Sequence, residues 1–224
     1  MKIALCSGSF KPEIAGGTCT VYDILAIAEE YGFSGLEVRE DLLNNKPADL
    51  PQLKKLAAEK GIELIYAYVN WPVNKDVLAM QENAPTLIQR MDEAVALGSS
   101  LLKTGFGPVD DLDELTSIHF KVLEGLAEAA ETRNVTLCLE NSDKPSGSSA
   151  STIRDVVARV NSASLQITYD AGNFATAGKN PVAALETMLE HVAYVHLKDV
   201  KKGETVNTYI VPKNLNSCTK NKES

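Results

Sequence analysis

Short apolar runs alternate along the chain with longer stretches in which apolar residues recur at helical spacing. The first run is Ile3-Ala4-Leu5-Cys6. From about Val21 to Tyr31, Ile24, Leu25, Ile27 and Ala28 share one face of a predicted helix. Gly32 supplies the left-handed residue that closes such a helix. Gly35-Leu36-Glu37-Val38-Arg39 comes next, then a predicted helix over about Leu50–Lys60, opened by Pro51 and stopped by Gly61. Ile62–Val69 is the most strand-like segment, because β-branched and aromatic side chains dominate it. The alternation continues to Leu197. Predicted helices near Glu82–Leu97, Asp113–Arg133, Thr152–Val160 and Pro181–His191 precede the runs Ser100–Thr104, Val135–Glu140, Leu165–Asp170 and Ala193–Leu197.

About seven strands alternating with about six helices, in units of roughly 30 residues, predict a parallel sheet with helical crossovers. The strands are nearly continuous apolar runs, as expected where both faces are covered. An open doubly wound sheet and a closed (β/α) barrel both fit this pattern. The first turn, Ser7-Gly8-Ser9-Phe10-Lys11, has no G-x-G-x-x-G, and no G-x-x-x-x-G-K-[ST] occurs anywhere, so the phosphate-cradling loops of nucleotide-binding sheets are missing. Instead, polar residues end nearly every strand: Glu37 and Arg39, Asn70 and Trp71, Lys103, Glu140 and Asn141, Asp170, His196 and Lys198. In a barrel these ends converge on one mouth, where active sites sit. The expected fold is therefore an α/β, (β/α)8-type barrel, shortened at the C-terminus and with about seven recognisable strands. Residues 1–200 form the barrel domain. Residues 201–224 form a polar tail expected to be irregular or mobile, with a short last strand at Val206–Val211 as the alternative. The open edge would be covered by the tail or by a partner subunit, which makes a homo-oligomer an expectation.

Composition narrows the chemistry. Lys and Arg number 22 against 30 Asp and Glu, a net charge of -8, and only 6% of the 224 residues are aromatic. Phosphate backbones need a basic patch and base-stacking needs aromatic platforms, so no nucleic-acid partner is expected. No run approaches the roughly 20 apolar residues that span a bilayer, and the apolar run at the start is too short for a signal peptide. Cys6, Cys19, Cys138 and Cys218 are scattered without a C-x-x-C pair and are read as reduced thiols of a cytoplasmic protein. His119 and His191 fall inside predicted helices and are read as structural or surface residues.

Glu140, Asp170 and His196 end successive strands. Two carboxylates and an imidazole converging at a barrel mouth suit a divalent ion such as Mn²⁺, Mg²⁺, Co²⁺ or Zn²⁺, because nearby buried carboxylates repel unless a cation or proton lies between them. Trp71 can offer an aromatic wall to the C–H face of a sugar. Glu37 and Lys103 can hydrogen-bond hydroxyls, and Lys198 can pair with a carboxylate or polarise a carbonyl.

The segments Leu137-Cys138-Leu139-Glu140-Asn141, Thr168-Tyr169-Asp170-Ala171-Gly172-Asn173-Phe174 and Tyr194-Val195-His196-Leu197-Lys198-Asp199 resemble the xylose-isomerase-like TIM-barrel superfamily of sugar isomerases, 3-epimerases, inosose dehydratases and endonuclease-IV-type nucleases. The resemblance implies that Glu140, Asp170 and His196 bind a divalent metal. It also implies that Glu140 removes a proton beside a ketose carbonyl, to give an enediolate stabilised by the metal. The family's fourth ligand, a Glu ending strand eight, has no counterpart in the expected strands, so impaired two-base epimerisation is expected. Family members often carry His where Asn173 stands, and Asn173 is counted with the substrate-binding residues. Epimerases carry an Arg beyond the strand-seven His, where this chain has Lys198, Lys201 and Lys202. The nucleases use a three-zinc cluster rich in histidine, which the chain's 3 histidines do not supply. The expected activity is a metal-dependent isomerase or epimerase acting on a free or phosphorylated monosaccharide. A keto-sugar or cyclitol dehydratase of the same superfamily, or a non-catalytic barrel that binds a sugar or a partner, is the alternative.

Overall fold

The computed structural model describes residues 2–198 and residue 200. One parallel sheet runs in chain order through β1 (Ala4–Cys6), β2 (Gly35–Arg39), β3 (Glu63–Ala67), β4 (Leu101–Gly105), β5 (Thr136–Glu140), β6 (Leu165–Asp170) and β7 (Val192–His196). Helices α2 (Val21–Glu30), α3 (Lys46–Lys60), α4 (Val77–Leu97), α5 (Ser117–Thr132), α6 (Ala150–Val160) and α8 (Pro181–Met188) carry the chain between successive strands, and the short α1 (Lys11–Ala15) and α7 (Ala171–Thr176) follow β1 and β6. All seven expected strands are present in a TIM-barrel-like arrangement. The tail, the alternative strand at Val206–Val211 and the expected lack of a strand-eight carboxylate all concern residues outside those described.

Local chemistry sets the helix ends. Thr20 and Asp23 form a reciprocal capping box at the start of α2, and Asp76, Ser149 and Asn180 cap α4, α6 and α8. Gly61 and Gly98 close α3 and α4 at φ +67° and +80°, a region costly for any residue with a Cβ. Some boundaries differ from expectation. α3 begins at Lys46 with Pro47 in its first turn, and Pro51 lies inside it. α5 begins at Ser117, because Thr116 and His119 form the capping box there and Leu112–Glu114 is a separate 3-10 turn.

The core lies between sheet and helices. Leu36, Leu102, Leu137 and Ile167 from the strands are fully buried with Ile24, Leu53, Met91 and Leu123 from the helices. The other face of the sheet points into the barrel, and the sheet is curled tightly enough that His196 on β7 touches Glu37 on β2. Among the described residues β7 has a neighbour on one side only, and Val195 and Leu197 stay exposed. No described helix is long and apolar enough to cross a membrane. Cys6 and Cys138 have no disulfide partner among the described residues.

Candidate metal centre

Strand side chains alternate between the two faces of a sheet, so residues two apart share a face. On the interior face, neighbouring strands align Cys6 with Glu37, Gly105 with Glu140, and Asp170 with His196. The curl then brings four strand ends together around one imidazole. His196 Nδ1 is 2.6 Å from Glu140 Oε1 and 3.7 Å from Asp170 Oδ2, while its Nε2 is 2.6 Å from Glu37 Oε2. One donor atom from each of Glu140, Asp170 and His196 lies within 4.8 Å of the other two. The three residues expected to meet do meet.

Two lysines close the cluster. Lys103 Nζ is 2.6 Å from Glu140 Oε2, and Lys198 Nζ is 2.9 Å from Asp170 Oδ2 while also bonding Asn173 Oδ1. Gly172 lets Lys198 reach across the start of α7, since a Cβ there would collide with the lysine stem.

The strand ends are fixed by a buried amide network. Asn141 Nδ2 donates to the Asp170 carbonyl at 3.0 Å, and Asn141 Oδ1 accepts from the Asp170 N–H at 2.8 Å. Asn173 Nδ2 donates to the Asn141 carbonyl at 2.8 Å. Asp170 Oδ1 accepts the Asn173 N–H at 2.8 Å and thereby caps α7. Asn141→Ala leaves both Asp170 main-chain groups without these partners, at about 1–3 kcal/mol for each buried unsatisfied group. Urea denaturation of this variant is expected to show a stability loss of that order.

Burial works against the charges of Glu37, Glu140, His196 and Lys103, and the pairings outweigh it. Burial would raise the Glu37 carboxyl, but the charge and hydrogen bond of His196 bring it down to about 2. Burial would lower His196, yet Glu37 and Glu140 hold it well above its ordinary value. Glu140 is held well below the usual carboxylate range, its burial overcome by Lys103 and His196. Lys103 is raised, its burial overcome by Glu140 and Glu37. Three carboxylates (Glu37, Glu140, Asp170) therefore face three cationic groups (Lys103, Lys198, His196), and the cluster is close to neutral.

The residues present fit a divalent cation. Two carboxylates and an imidazole nitrogen turn toward one region, and the second imidazole nitrogen is held by an outer carboxylate, as is usual for metal-ligating histidines.

Glu37 is 1% exposed and meets His196 and Cys6 inside the barrel, so it sits behind the cluster, deeper than its position at the end of a strand suggested. Trp71 is half exposed and packs on Gly105, which has no Cβ to exclude the indole and is paired with Glu140. His119 is buried and structural, its ring bridging Thr116 and the Lys75 carbonyl. Sequence reasoning missed the bridging role of Asn141, and it missed Tyr194 and Cys6. Tyr194 lies beside Glu37 and meets the His196 ring edge-on, centroids 5.1 Å apart. Burial and Glu37 push its phenol far above the ordinary value, so the hydroxyl remains a donor. The available signal was strand parity, since Tyr194 precedes His196 by two residues.

The family described as xylose isomerase-like TIM barrel matches residues 25–212. No curated protein sequence matches the chain. Among solved structures, a D-psicose 3-epimerase from Clostridium cellulolyticum H10, determined with D-tagatose, is 16% identical with a TM-score of 0.72, over 89% of this chain and 73% of that one. The IolI protein with a bound zinc atom is 18% identical with a TM-score of 0.74, over 90% of this chain and 74% of that one. The probable 3-DHS dehydratase AsbF from Bacillus anthracis is 16% identical with a TM-score of 0.71, over 90% and 74%.

Proposed function

The chain belongs to the xylose isomerase-like TIM-barrel family, and from that premise we propose that it is a divalent-metal-dependent isomerase or epimerase of a monosaccharide or sugar phosphate. The single observation that carries this reading is the convergence of Glu140, Asp170 and His196 within 4.8 Å. Mn²⁺, Mg²⁺, Co²⁺ and Zn²⁺ all suit that donor set, and the zinc-bound IolI neighbour supports a divalent metal as the cofactor.

Glu140 is assigned as the proton acceptor and Lys198 as a second group meeting the reacting part of the substrate. Lys103 keeps Glu140 ionised, the form that can accept a proton, but also makes it a weak base. The catalytic burden therefore falls on stabilising the charge left on the substrate. A divalent ion held by Glu140, Asp170 and His196 would supply that stabilisation as a Lewis acid. Exchanging the His196 Nδ1 proton for a 2+ ion also changes the near-neutral cluster to a net positive one, which favours an anion.

The same exchange gives a pH prediction. The Nδ1 proton, held above the ordinary histidine range, must leave when metal binds, so metal binding releases a proton and tightens as pH rises. Calorimetric titration with Zn²⁺ in buffers of different ionisation enthalpy counts that proton.

Trp71, seated on Gly105 beside Glu140, is assigned as the wall against the sugar's C–H face. Such a contact is worth about 0.5–1.5 kcal/mol, so Trp71→Ala is expected to raise KM roughly 2- to 10-fold with kcat little changed. Asn173 completes the set of residues assigned around the substrate through its contact with Lys198, whereas Glu37, expected to bind a hydroxyl, is taken up by His196 and Cys6 behind the cluster.

The fold shared with a dehydratase supports a second reading, a keto-sugar or cyclitol dehydratase that begins with the same proton abstraction. The decisive experiment follows solvent deuterium into the C–H beside the carbonyl of ketoses and ketose phosphates, with added Mn²⁺, Mg²⁺, Co²⁺ or Zn²⁺ and with chelator. Metal-dependent exchange is expected, and NMR of the product separates epimer from dehydrated compound. A protein that binds none of these ions and exchanges no proton would overturn the proposal and leave a non-catalytic barrel.

A further inference from the structure

Strong groups of the cluster that the proposed chemistry leaves without a direct task lie behind His196. Glu37 is the most buried carboxylate in the barrel along with Asp170, each 1% exposed, and it contacts no group at the outer side of the cluster except through His196 and the nearby charge of Lys103. Its Oε2 takes His196 Nε2 at 2.6 Å, and its Oε1 lies 3.3 Å from the Cys6 thiol, which donates to it. The Tyr194 phenol lies beside the same carboxylate, and burial together with that charge holds the hydroxyl protonated. The Tyr194 ring meanwhile stands at 76° to the imidazole, centroids 5.1 Å apart, in an edge-on contact with it. Two of the three groups around Glu37, Tyr194 and His196, come from one strand at positions of like parity.

An imidazole can ligate a metal through either nitrogen, and the partner of the other nitrogen decides which. We propose that Glu37 and Tyr194 are a positioning pair: Tyr194 holds Glu37, and Glu37 takes the Nε2 hydrogen of His196. This fixes the ring with Nδ1 facing Glu140 and Asp170 as the sole metal-binding nitrogen. A carboxylate acceptor also enriches electron density on the imidazole and raises its strength as a ligand. The Cys6 thiol fills the remaining side of the carboxylate, so Glu37 has no freedom to swing toward the mouth and act as a ligand itself. This inference rests on the metal-binding reading of Glu140, Asp170 and His196 and goes beyond it, in assigning which nitrogen binds and what enforces the choice.

The test uses the whole chain, Zn²⁺ as probe, and two variants, Glu37→Gln and Tyr194→Phe. Zn²⁺ affinity is measured by competition with a chromophoric chelator, and long-range ¹H–¹⁵N correlation on the zinc-loaded protein reports the tautomer of His196. The unaltered chain is expected to show a protonated Nε2 and a metal-bound Nδ1. Glu37→Gln is expected to weaken Zn²⁺ by about 10- to 100-fold, the usual loss for an outer partner of a ligating histidine. Tyr194→Phe keeps the ring packing and removes only the hydroxyl. It should weaken Zn²⁺ by a smaller factor in the same direction and shift the Nε2 proton signal. It serves as the test on its own if Glu37→Gln does not fold. Zinc bound through Nε2, or unchanged affinity and tautomer in folded Tyr194→Phe, would overturn the positioning role while leaving the metal site standing. A chain that takes up no Zn²⁺ at all would overturn both.

Discussion

Asp170→Asn is expected to abolish stoichiometric metal binding without unfolding the protein. Asparagine has nearly the same shape and caps helices as well as aspartate does, so the start of α7 and the bond to the Asn173 N–H are retained. What disappears is one anionic ligand and the counter-charge of Lys198, 2.9 Å away. Loss of an outer partner alone weakens metal binding about 10- to 100-fold, so loss of a direct ligand is expected to exceed roughly a hundredfold. Isothermal titration with Mn²⁺ or Zn²⁺ measures it, and an unchanged circular dichroism spectrum shows that the fold is intact. Affinity within a few-fold of the unaltered chain would remove Asp170 from the metal shell.

The second large effect is on Glu140→Gln. Removing a general base costs about 10²- to 10⁴-fold in the proton-transfer step, so solvent deuterium exchange into substrate is expected to fall at least that far. Stability should suffer too, because Lys103 loses the carboxylate 2.6 Å away while remaining buried. Breaking one side of a buried ion pair costs about 3–5 kcal/mol. The two consequences separate in the double variant Glu140→Gln/Lys103→Met. It should recover much of the lost stability in urea denaturation, yet remain inactive in exchange. Recovery of exchange along with stability would show that Glu140 serves only to neutralise Lys103.

These effects depend on features that differ in how clearly the sequence announces them. The strands are legible because most are short apolar runs between helical stretches, and Glu140, Asp170 and His196 stand at the ends of three of them. The short helix α7 is not legible. It has 6 residues, too few to display a helical period, and its N-cap is the candidate ligand Asp170 itself. The acidic pair Asp113 and Glu114 suggests an early start for α5, but the capping box of Thr116 and His119 fixes the start at Ser117.

Glu37 shows the limit most clearly. Its strand and its parity are evident, but its depth depends on how tightly the sheet curls. A flatter sheet would leave Glu37 at the rim with hydroxyls to bind, and the observed curl places it against His196 from a strand 159 residues away in sequence. Tyr194 hides for a related reason. An aromatic residue in a strand reads as ordinary strand composition until the groups opposite it are known. Asn141 was visible as a polar strand end, but bridging two strand ends through both its amide atoms requires the register of β5 against β6.

The central claim is that Glu140, Asp170 and His196 share one divalent cation. The most direct measurement is anomalous diffraction from crystals soaked in Zn²⁺, recorded on both sides of the zinc absorption edge. One strong peak is expected, bonded to a carboxylate oxygen of Glu140, a carboxylate oxygen of Asp170 and Nδ1 of His196. Zinc bound elsewhere with this cluster empty, or no zinc at a concentration that saturates histidine–carboxylate sites, would contradict it.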